Sequence, residues 1–356
     1  MRDRFVFFDA TLLEGGAERV ISILSAELAK QEPVEILLYF DSKPFYYIPD
    51  NVKITYVCRE TGKTNIFVNL LWMRRYFNKN AKAVISFLAP FNMLAIIATL
   101  FSKTKIIVAD RNDPRKVPTQ KFVRSLRNFL YRFADGVVVQ TQRNNQYFSR
   151  CIQRKSTVIA NPIDLRDNAG TALTTAKRHK IVAVGRLIAQ KNPMMLLRAF
   201  TRFVKCHPDY ELVCYGEGNM RSQMETYIRE NALQEKVFLP GSQKDIFHHI
   251  KDAEFYIMSS NYEGMPNALM EAMCLGLPVI STRVSGAEDY IIPGENGLLV
   301  DVGDEDGLLQ AMETLANDPK KREALGRQAV NLNKVLEVSA ITKQWLSFIE
   351  AVSDKR

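Results

Sequence analysis

The sequence predicts an α/β protein of two consecutive domains, each built on a mostly parallel sheet. Three observations predict it. Apolar strand patterns alternate with helical patterns through the first half of the chain, and the alternation starts again at Ile181. Between the two series, Asn161-Pro162-Ile163-Asp164 breaks the pattern, and the weakly patterned Arg166–Lys177 reads as a domain connection. Glycine loops follow several of the strand patterns, as Gly15-Gly16, Gly185, Gly216-Glu217-Gly218 and Gly241. The chain has 356 residues, 47% hydrophobic and 24% charged, enough for two ordinary domains with cores of their own.

The elements follow in order. In the first half, strands are expected at Arg4–Asp9, Val34–Phe40, Val52–Val57, Ala83–Phe87, Lys105–Asp110, Gly136–Gln140 and Ser156–Ala160. Helices are expected at Ala17–Lys30, Asn65–Phe77, Phe91–Phe101 and Gln120–Phe133. The second half continues with strands Ile181–Gly185, Glu211–Tyr215, Val237–Leu239, Ala253–Met258, Pro278–Ser281 and Gly297–Val300. Its helices are Met194–Lys205, Met220–Asn231, Asp245–Ile250 and one opening at Pro266-Asn267, and from Asp304 the chain reads as helical. Trp345 and Phe348 lie at helical spacing in Val338–Ala351, which fits packing back onto the first domain as well as ordinary packing in the second.

Several classes are disfavoured. The five cysteines form no CxxC pair and read as reduced thiols. The four histidines have no metal-ligand spacing to cysteine or carboxylate, so no metal site is expected. Met1-Arg2-Asp3-Arg4 leads into a strand rather than a signal peptide, and Met93–Phe101 is too short an apolar run to span a bilayer. The net charge of +9 is uneven: residues 1–165 hold 25 Lys/Arg against 14 Asp/Glu, and residues 166–356 hold 23 against 25. A basic first half suits an anionic partner such as lipid, a diphosphate or nucleic acid, or simply a solvated surface.

The chemistry-bearing stretches lie at predicted strand ends. Glu14-Gly15-Gly16-Ala17-Glu18-Arg19 links the first strand and helix; the glycines allow positive φ and close approach, and the helix start favours phosphate. It is not GxGxxG. Arg186 and Lys191 flank the start of the second domain's first helix, where a fork and a point cation suit a diphosphate or stand as solvated charges. Glu263 and Glu271, separated by seven residues, sit in a strand-to-helix loop and about one turn into its helix. Basic amphipathic patterns at Asn69–Phe77 and Lys121–Arg132 suit an anionic membrane surface or packing on the domain's own sheet.

Taken together, these residues resemble glycosyltransferase family 4. The resemblance is carried by Glu263-Gly264-Met265-Pro266-Asn267 through Glu271-Ala272-Met273 and by Gly276-Leu277-Pro278-Val279. Val184-Gly185-Arg186-Leu187, Gln190-Lys191-Asn192-Pro193, Gly15–Arg19, Asn161–Asp164 and Gly294–Val300 add to it. It implies the GT-B fold, two Rossmann-like domains facing a central cleft, with a C-terminal helix crossing back to the first. The expected domains are 1–162, acceptor-binding and joined by 338–356, and 163–337, donor-binding. The implied reaction is a retaining transfer of a hexose or N-acetylhexosamine from a nucleotide diphosphate sugar, UDP-linked, with no metal and no cofactor. By the same resemblance Arg186 and Lys191 hold the diphosphate, and Gly15 and Gly16 line the cleft. Glu271 binds the ribose, Glu263 faces the reacting sugar, the backbone of Gly264, Met265, Pro266, Asn267, Ala268 and Leu269 contacts sugar and phosphate, through N–H groups at every position but Pro266, and Gly216, Leu239 and Gly241 edge the nucleotide.

One loop departs from the family. Where many members carry a histidine, this chain reads Ala109-Asp110-Arg111-Asn112-Asp113-Pro114. It looks like the Glu-Arg-Asn-Asp-Pro loop of members that build bacterial exopolysaccharide and capsule repeat units. Asp110 or Arg111 would then serve the sugar or the acceptor, unless the two are a structural pair. The implied acceptor is a glycan, polyprenyl-diphosphate-linked, at the inner face of the plasma membrane, with the enzyme cytoplasmic and peripheral and with no nucleic acid involved. The alternatives are a nucleotide-sugar 2-epimerase of the same architecture and a non-catalytic glycan- or nucleotide-binding subunit.

Overall fold

The computed structural model describes residues 4–13, 15–62, 65–165, 168–175 and 178–353. The chain forms two compact units: Met1–Asp164 with Leu336–Arg356, and Leu165–Val335.

The first unit is organised on a seven-stranded parallel sheet in the order β3-β2-β1-β4-β5-β6-β7. The strands are β1 Arg4–Asp9, β2 Val34–Leu38, β3 Lys53–Tyr56, β4 Ala81–Phe87, β5 Lys105–Asp110, β6 Gly136–Val139 and β7 Ser156–Val158. The central runs are almost wholly apolar because helices cover both faces of such a sheet, and Val6, Phe7, Phe8, Val84, Ile85, Ile107 and Val108 are fully buried. Strand order reverses between β1 and β4, so the strand ends Asp9 and Phe87 flank the unit's switch point. Helices α1 Gly16–Leu28, α2 Ile66–Asn80, α3 Ala89–Thr99 and α4 Lys121–Leu130 join the strands. The C-terminal helix Val338–Ser353 belongs to this unit. It buries Ile341, Trp345, Ile349 and Val352, and Trp345 lies 6.0 Å from the Phe87 ring. A β-carbon at Gly136 would stand 2.9 Å from the tip of the Phe348 ring, so this helix packs closely on β6.

The second unit has a six-stranded parallel sheet in the order β10-β9-β8-β11-β12-β13. Its strands are β8 Lys180–Val184, β9 Glu211–Tyr215, β10 Val237–Gly241, β11 Phe255–Met258, β12 Val279–Thr282 and β13 Leu298–Val300. Helices α5 Pro193–Cys206, α6 Arg221–Glu230, α7 Asn267–Leu275, α8 Ser285–Tyr290 and α9 Glu305–Asn317 flank it. Leu196, Phe200 and Phe203 of α5 share a core with Phe255, Ile257, Leu308 and Met312. The switch point lies between β8 and β11, so the loops after Val184 and Met258 are the unit's candidate ligand edge.

Two expectations are corrected, and one helix is added. Val57 opens a short helix, Val57–Thr61, where the strand was expected to end. The connection Arg166–Lys177 is not uniformly a linker: Thr171–Thr174 is a helical turn of the second unit, the Gly170 amide donates to the Cys274 carbonyl (3.0 Å), and Leu173 packs over Gly276. Arg166, Asp167, Ala176 and Lys177 lie outside the described residues. Helix α8, six residues long, has no separate signal in the sequence pattern.

Candidate active site

The ligand edge of the second unit is built from loops that glycine lets lie on one another. Gly216 has φ 132°, and a β-carbon there would stand 2.1 Å from the Gly185 carbonyl oxygen. No other residue allows this contact. At Gly185 (φ 156°) a β-carbon would meet Lys191 Cε at 3.3 Å, so the lysine stem lies directly on the backbone that ends β8.

Lys191 closes a short 3-10 turn, Ala189–Lys191, and Asn192 after it is left-handed at φ 47°. This turn is laced to the loop after β11. The Asn261 amide donates to the Gln190 carbonyl (2.7 Å), Asn261 Nδ2 to the Ala189 carbonyl (2.9 Å), and Ser259 Oγ to the Lys191 carbonyl (3.0 Å). Gln190 Nε2 donates back to the Tyr262 carbonyl at 3.0 Å. These bonds fix the position from which Lys191 Nζ reaches Glu263 Oε1, 2.7 Å away. Glu263 is buried and the lysine side chain is partly exposed. The carboxylate is thereby held in place by a cation that still reaches solvent.

Glu271 lies on α7, also buried. The two carboxylates flank Tyr256, whose hydroxyl is pushed far above the ordinary phenol range by burial first, then by Glu271 and Glu263. Cys274, one turn on, is pushed up to about 12 by burial and by Glu271. Both groups therefore stay neutral beside the two carboxylates. The loop Gly264–Pro266 is seated by Gly286 of α8, where a β-carbon would stand 2.4 Å from the Gly264 carbonyl. Beyond it Asn267, Ala268 and Leu269 form the first turn of α7, whose amides have no intrahelical acceptor.

Across the same edge, Leu239 and Gly241 end β10. The Gly216 amide donates to the Gly241 carbonyl (3.0 Å). Arg221 Nη2 donates to the Leu239 carbonyl (2.8 Å) and its Nη1 pairs with Glu217 Oε1 (2.7 Å). Arg186 is exposed, and among the described residues no carboxylate pairs with it. The structure thus brings Arg186, Lys191, Glu263, Glu271, Gly264–Leu269, Gly216, Leu239 and Gly241 to one edge of one sheet. Gln190, from the quoted motif, supports them, as do Tyr256, Asn261, Arg221 and Gly286, which were missed because each is chosen by a tertiary partner that no local pattern announces.

Asp110, Arg111, Gly15 and Gly16 lie in the first unit. Asp110 ends β5, fully covered. Burial raises its carboxyl above the usual range, and Arg127 (3.6 Å) offsets this in part; the Tyr131 hydroxyl donates to it at 3.3 Å. Arg111 is buried between rings, 4.7 Å from the centre of Phe87 and 5.4 Å from that of Trp345. Its Nη1 donates to Asn161 Oδ1 (2.7 Å), and burial pushes its guanidinium down to about 9. Gly15 corrects an expectation: its φ is −178°, extended and open to any residue. The Glu18 carboxylate lies against it, 2.1 Å from where a β-carbon would be. The chain's own carboxylate therefore lies at the start of α1, where a phosphate was expected. Glu14 is outside the described residues. Asp9, missed in the sequence, ends β1 with its carboxyl driven well above the usual range by burial.

Two doubly wound parallel-sheet units, the second carrying two cations and two buried carboxylates at its switch point, define a glycosyltransferase of the GT-B fold. Residues 170–331 match the family described as Glycosyl transferases group 1. The chain is 29% identical, over 98% of both chains, to the GalNAc-alpha-(1->4)-GalNAc-alpha-(1->3)-diNAcBac-PP-undecaprenol alpha-1,4-N-acetyl-D-galactosaminyltransferase of Campylobacter jejuni. It is also 29% identical, over 96% of its own length and 98% of the other, to that organism's N-acetylgalactosamine-N,N'-diacetylbacillosaminyl-diphospho-undecaprenol 4-alpha-N-acetylgalactosaminyltransferase. Among solved structures it resembles Anabaena Alr3699/HepE in complex with UDP and glucose, with a TM-score of 0.85 at 16% identity over 98% of this chain and all of that one.

Proposed function

We propose that the protein is a retaining family 4 glycosyltransferase. It moves a hexose or N-acetylhexosamine from a UDP-linked sugar to a polyprenyl-diphosphate-linked glycan in bacterial surface polysaccharide assembly, capsule or exopolysaccharide included. The observation that carries this reading is the Lys191–Glu263 pair beside the exposed Arg186 at the carboxyl edge of the second sheet. The names of the two Campylobacter relatives, both acting on undecaprenol-diphosphate-linked glycans, support the acceptor class. UDP in the Anabaena complex supports the nucleotide.

Each residue has a task in that reaction. When the bond from the sugar to the diphosphate breaks, the electron pair leaves with the phosphate and positive charge grows on the sugar. Arg186 and Lys191 meet the first charge, and Glu263 meets the second. Losing one such preplaced group commonly costs about 3–4 kcal/mol of barrier. The fixed cations supply the phosphate neutralisation that a metal supplies elsewhere, so transfer without added metal is expected. Glu271 takes the ribose hydroxyls as a carboxylate acceptor. Asp110 or Arg111 serves the sugar or the acceptor from the first unit.

A thermal-shift screen of UDP- and GDP-sugars identifies the donor, because only a ligand of the folded state raises the melting temperature. Mass analysis after addition of a polyprenyl-diphosphate glycan then reads the product. A new glycosidic bond supports the proposal; isomerisation of the free nucleotide sugar would replace it with the epimerase reading.

A further inference from the structure

Helix α4 presents its apolar stripe to solvent. Phe122, Leu126 and Phe129, with Phe133 in the turn after the helix, recur at i, i+4, i+7 and i+11, one face of a helix. They are 78%, 40%, 52% and 49% exposed, respectively. The inward residues of α4 are Leu130 and Arg127, the arginine fully buried. Arg127 donates to the Val117 carbonyl (2.6 Å) and the Pro114 carbonyl (2.9 Å), and pairs with Asp110. The sequence allowed this helix to pack its apolar side on its own sheet; the structure turns most of that side outward.

The neighbouring helices also carry exposed rings. Helix α3 packs against both α2 and α4. Phe67 of α2 is 74% exposed, and Phe101, just past α3, is 98% exposed with a left-handed backbone (φ 57°). A phenylalanine in that conformation, with no cover, gains nothing from the folded unit itself. Helices α2, α3 and α4 and the turn Tyr131–Phe133 contain no Asp or Glu, while Arg75, Lys79, Lys103, Lys121 and Arg132 stand exposed on or beside them. An apolar stripe with cationic margins and no carboxylate is complementary to one surface in particular. Lipid chains take the rings and anionic headgroups take the lysines and arginines.

We infer that the α2–α3–α4 flank of the first unit is a docking surface for an anionic lipid bilayer, with Phe122, Phe129, Phe133 and Phe101 entering the headgroup boundary. Its use rests on the proposed lipid-linked acceptor, but the docking itself is measured without any acceptor. The underside of the same helix holds the loop after Asp110 through Arg127, so the docked face and the candidate acceptor residues are fixed to one another.

The test is co-sedimentation of the full chain with vesicles of phosphatidylcholine, with and without phosphatidylglycerol. The expected result is binding only to the anionic vesicles, falling as salt rises. The triple variant Phe122→Ser, Phe129→Ser, Phe133→Ser should lose about tenfold in binding, and Phe101→Ser a smaller factor. Both should keep the wild-type melting temperature and donor-induced shift, since the replaced rings are exposed. Absence of binding to anionic vesicles at low salt overturns the proposal, as does unchanged binding by the triple variant. A wild-type dimer that the triple variant dissociates would assign the face to a second copy of the chain. Failure of glycosyl transfer with docking intact would strike the functional reading and leave this one standing.

Discussion

Lys191 Nζ lies 2.7 Å from Glu263 Oε1, and the turn that carries the lysine is bonded through its own carbonyls to the loop that carries the glutamate. The pair joins the ends of β8 and β11 across the switch point. Its two members differ in accessibility: the carboxylate is buried and the ammonium is not. Glu263→Gln keeps the shape and removes the charge. Transfer should fall by about 10²–10³ while donor affinity, read by thermal shift or calorimetry, changes only a few-fold. Lys191→Met should weaken donor binding and also destabilise the fold by about 1–3 kcal/mol, because it leaves a buried carboxylate without its donor. The double variant should recover most of that stability and none of the activity, a cycle that separates pairing from catalysis.

Gly216 tests the loop stacking. Gly216→Ala places a methyl 2.1 Å from the Gly185 carbonyl oxygen, in backbone that cannot yield without moving β8 away from β9. Gly294→Ala is the control, since Gly294 is also left-handed (φ 82°) but a β-carbon there meets nothing within 4 Å. Urea denaturation should show a loss of about 1 kcal/mol for Gly294→Ala from backbone strain alone, and clearly more for Gly216→Ala. Donor binding should fall only in the latter.

The fold was legible because its signal is local. Runs such as Phe5–Phe8 and Ile106–Ala109 read as strands wherever they stand, and the glycine loops mark where those strands end. Glu263, Lys191 and Glu271 were legible for a related reason: each lies within a few residues of a strand end, where a parallel sheet gathers ligands. Tyr256 and Arg221 were not, since a tyrosine in an apolar strand and an arginine on a polar helix carry no local mark. Gly15 was misread in its backbone angle: it is extended at φ −178°, and Glu18, three residues on in the sequence, folds its carboxylate back beside it. The outward stripe of α4 was half legible: the amphipathic pattern was plain, but its direction depended on Arg127 and the carbonyls it holds.

Arg127 is the clearest case of a charge whose removal should unfold local structure. Fully buried, it is surrounded by Tyr131, Tyr147 and Phe148 and bonded to two backbone carbonyls and to Asn128. Arg127→Met leaves those carbonyls and Asp110 without their donor, a loss of about 3–5 kcal/mol. Arg127→Lys should rescue little, because a single ammonium cannot copy the planar fork that reaches both carbonyls. Chemical denaturation of the three proteins decides it: a lysine variant as stable as wild type would show that charge alone matters.

The first unit should also lose stability as pH rises, and Asp9 gives the sign. Burial raises its carboxyl well above the usual range, the Ala10 amide bond (2.6 Å to Oδ1) offsets part of this, and Glu18 adds to it. A folded-state pKa above the unfolded one means that the native state holds the proton longer. Stability is therefore fully present below the unfolded value, about 3.9, and falls as pH climbs toward the folded one, by up to about 1.4 kcal/mol per pH unit while the difference in protonation lasts. Asn in place of Asp9 keeps an oxygen for the Ala10 amide and has no proton to lose. Asp9→Asn should thus match wild type near pH 3.5 and exceed it at pH 7, with the gap opening from pH 4 upward. Urea denaturation across that range measures the gap directly. Asp110 shifts in the same direction from the same cause, with Arg127 opposing it, so Asp110→Asn should open a smaller gap. A wild-type stability that rose relative to both variants as pH increased would mean that these carboxylates are ionised and partnered in the folded protein.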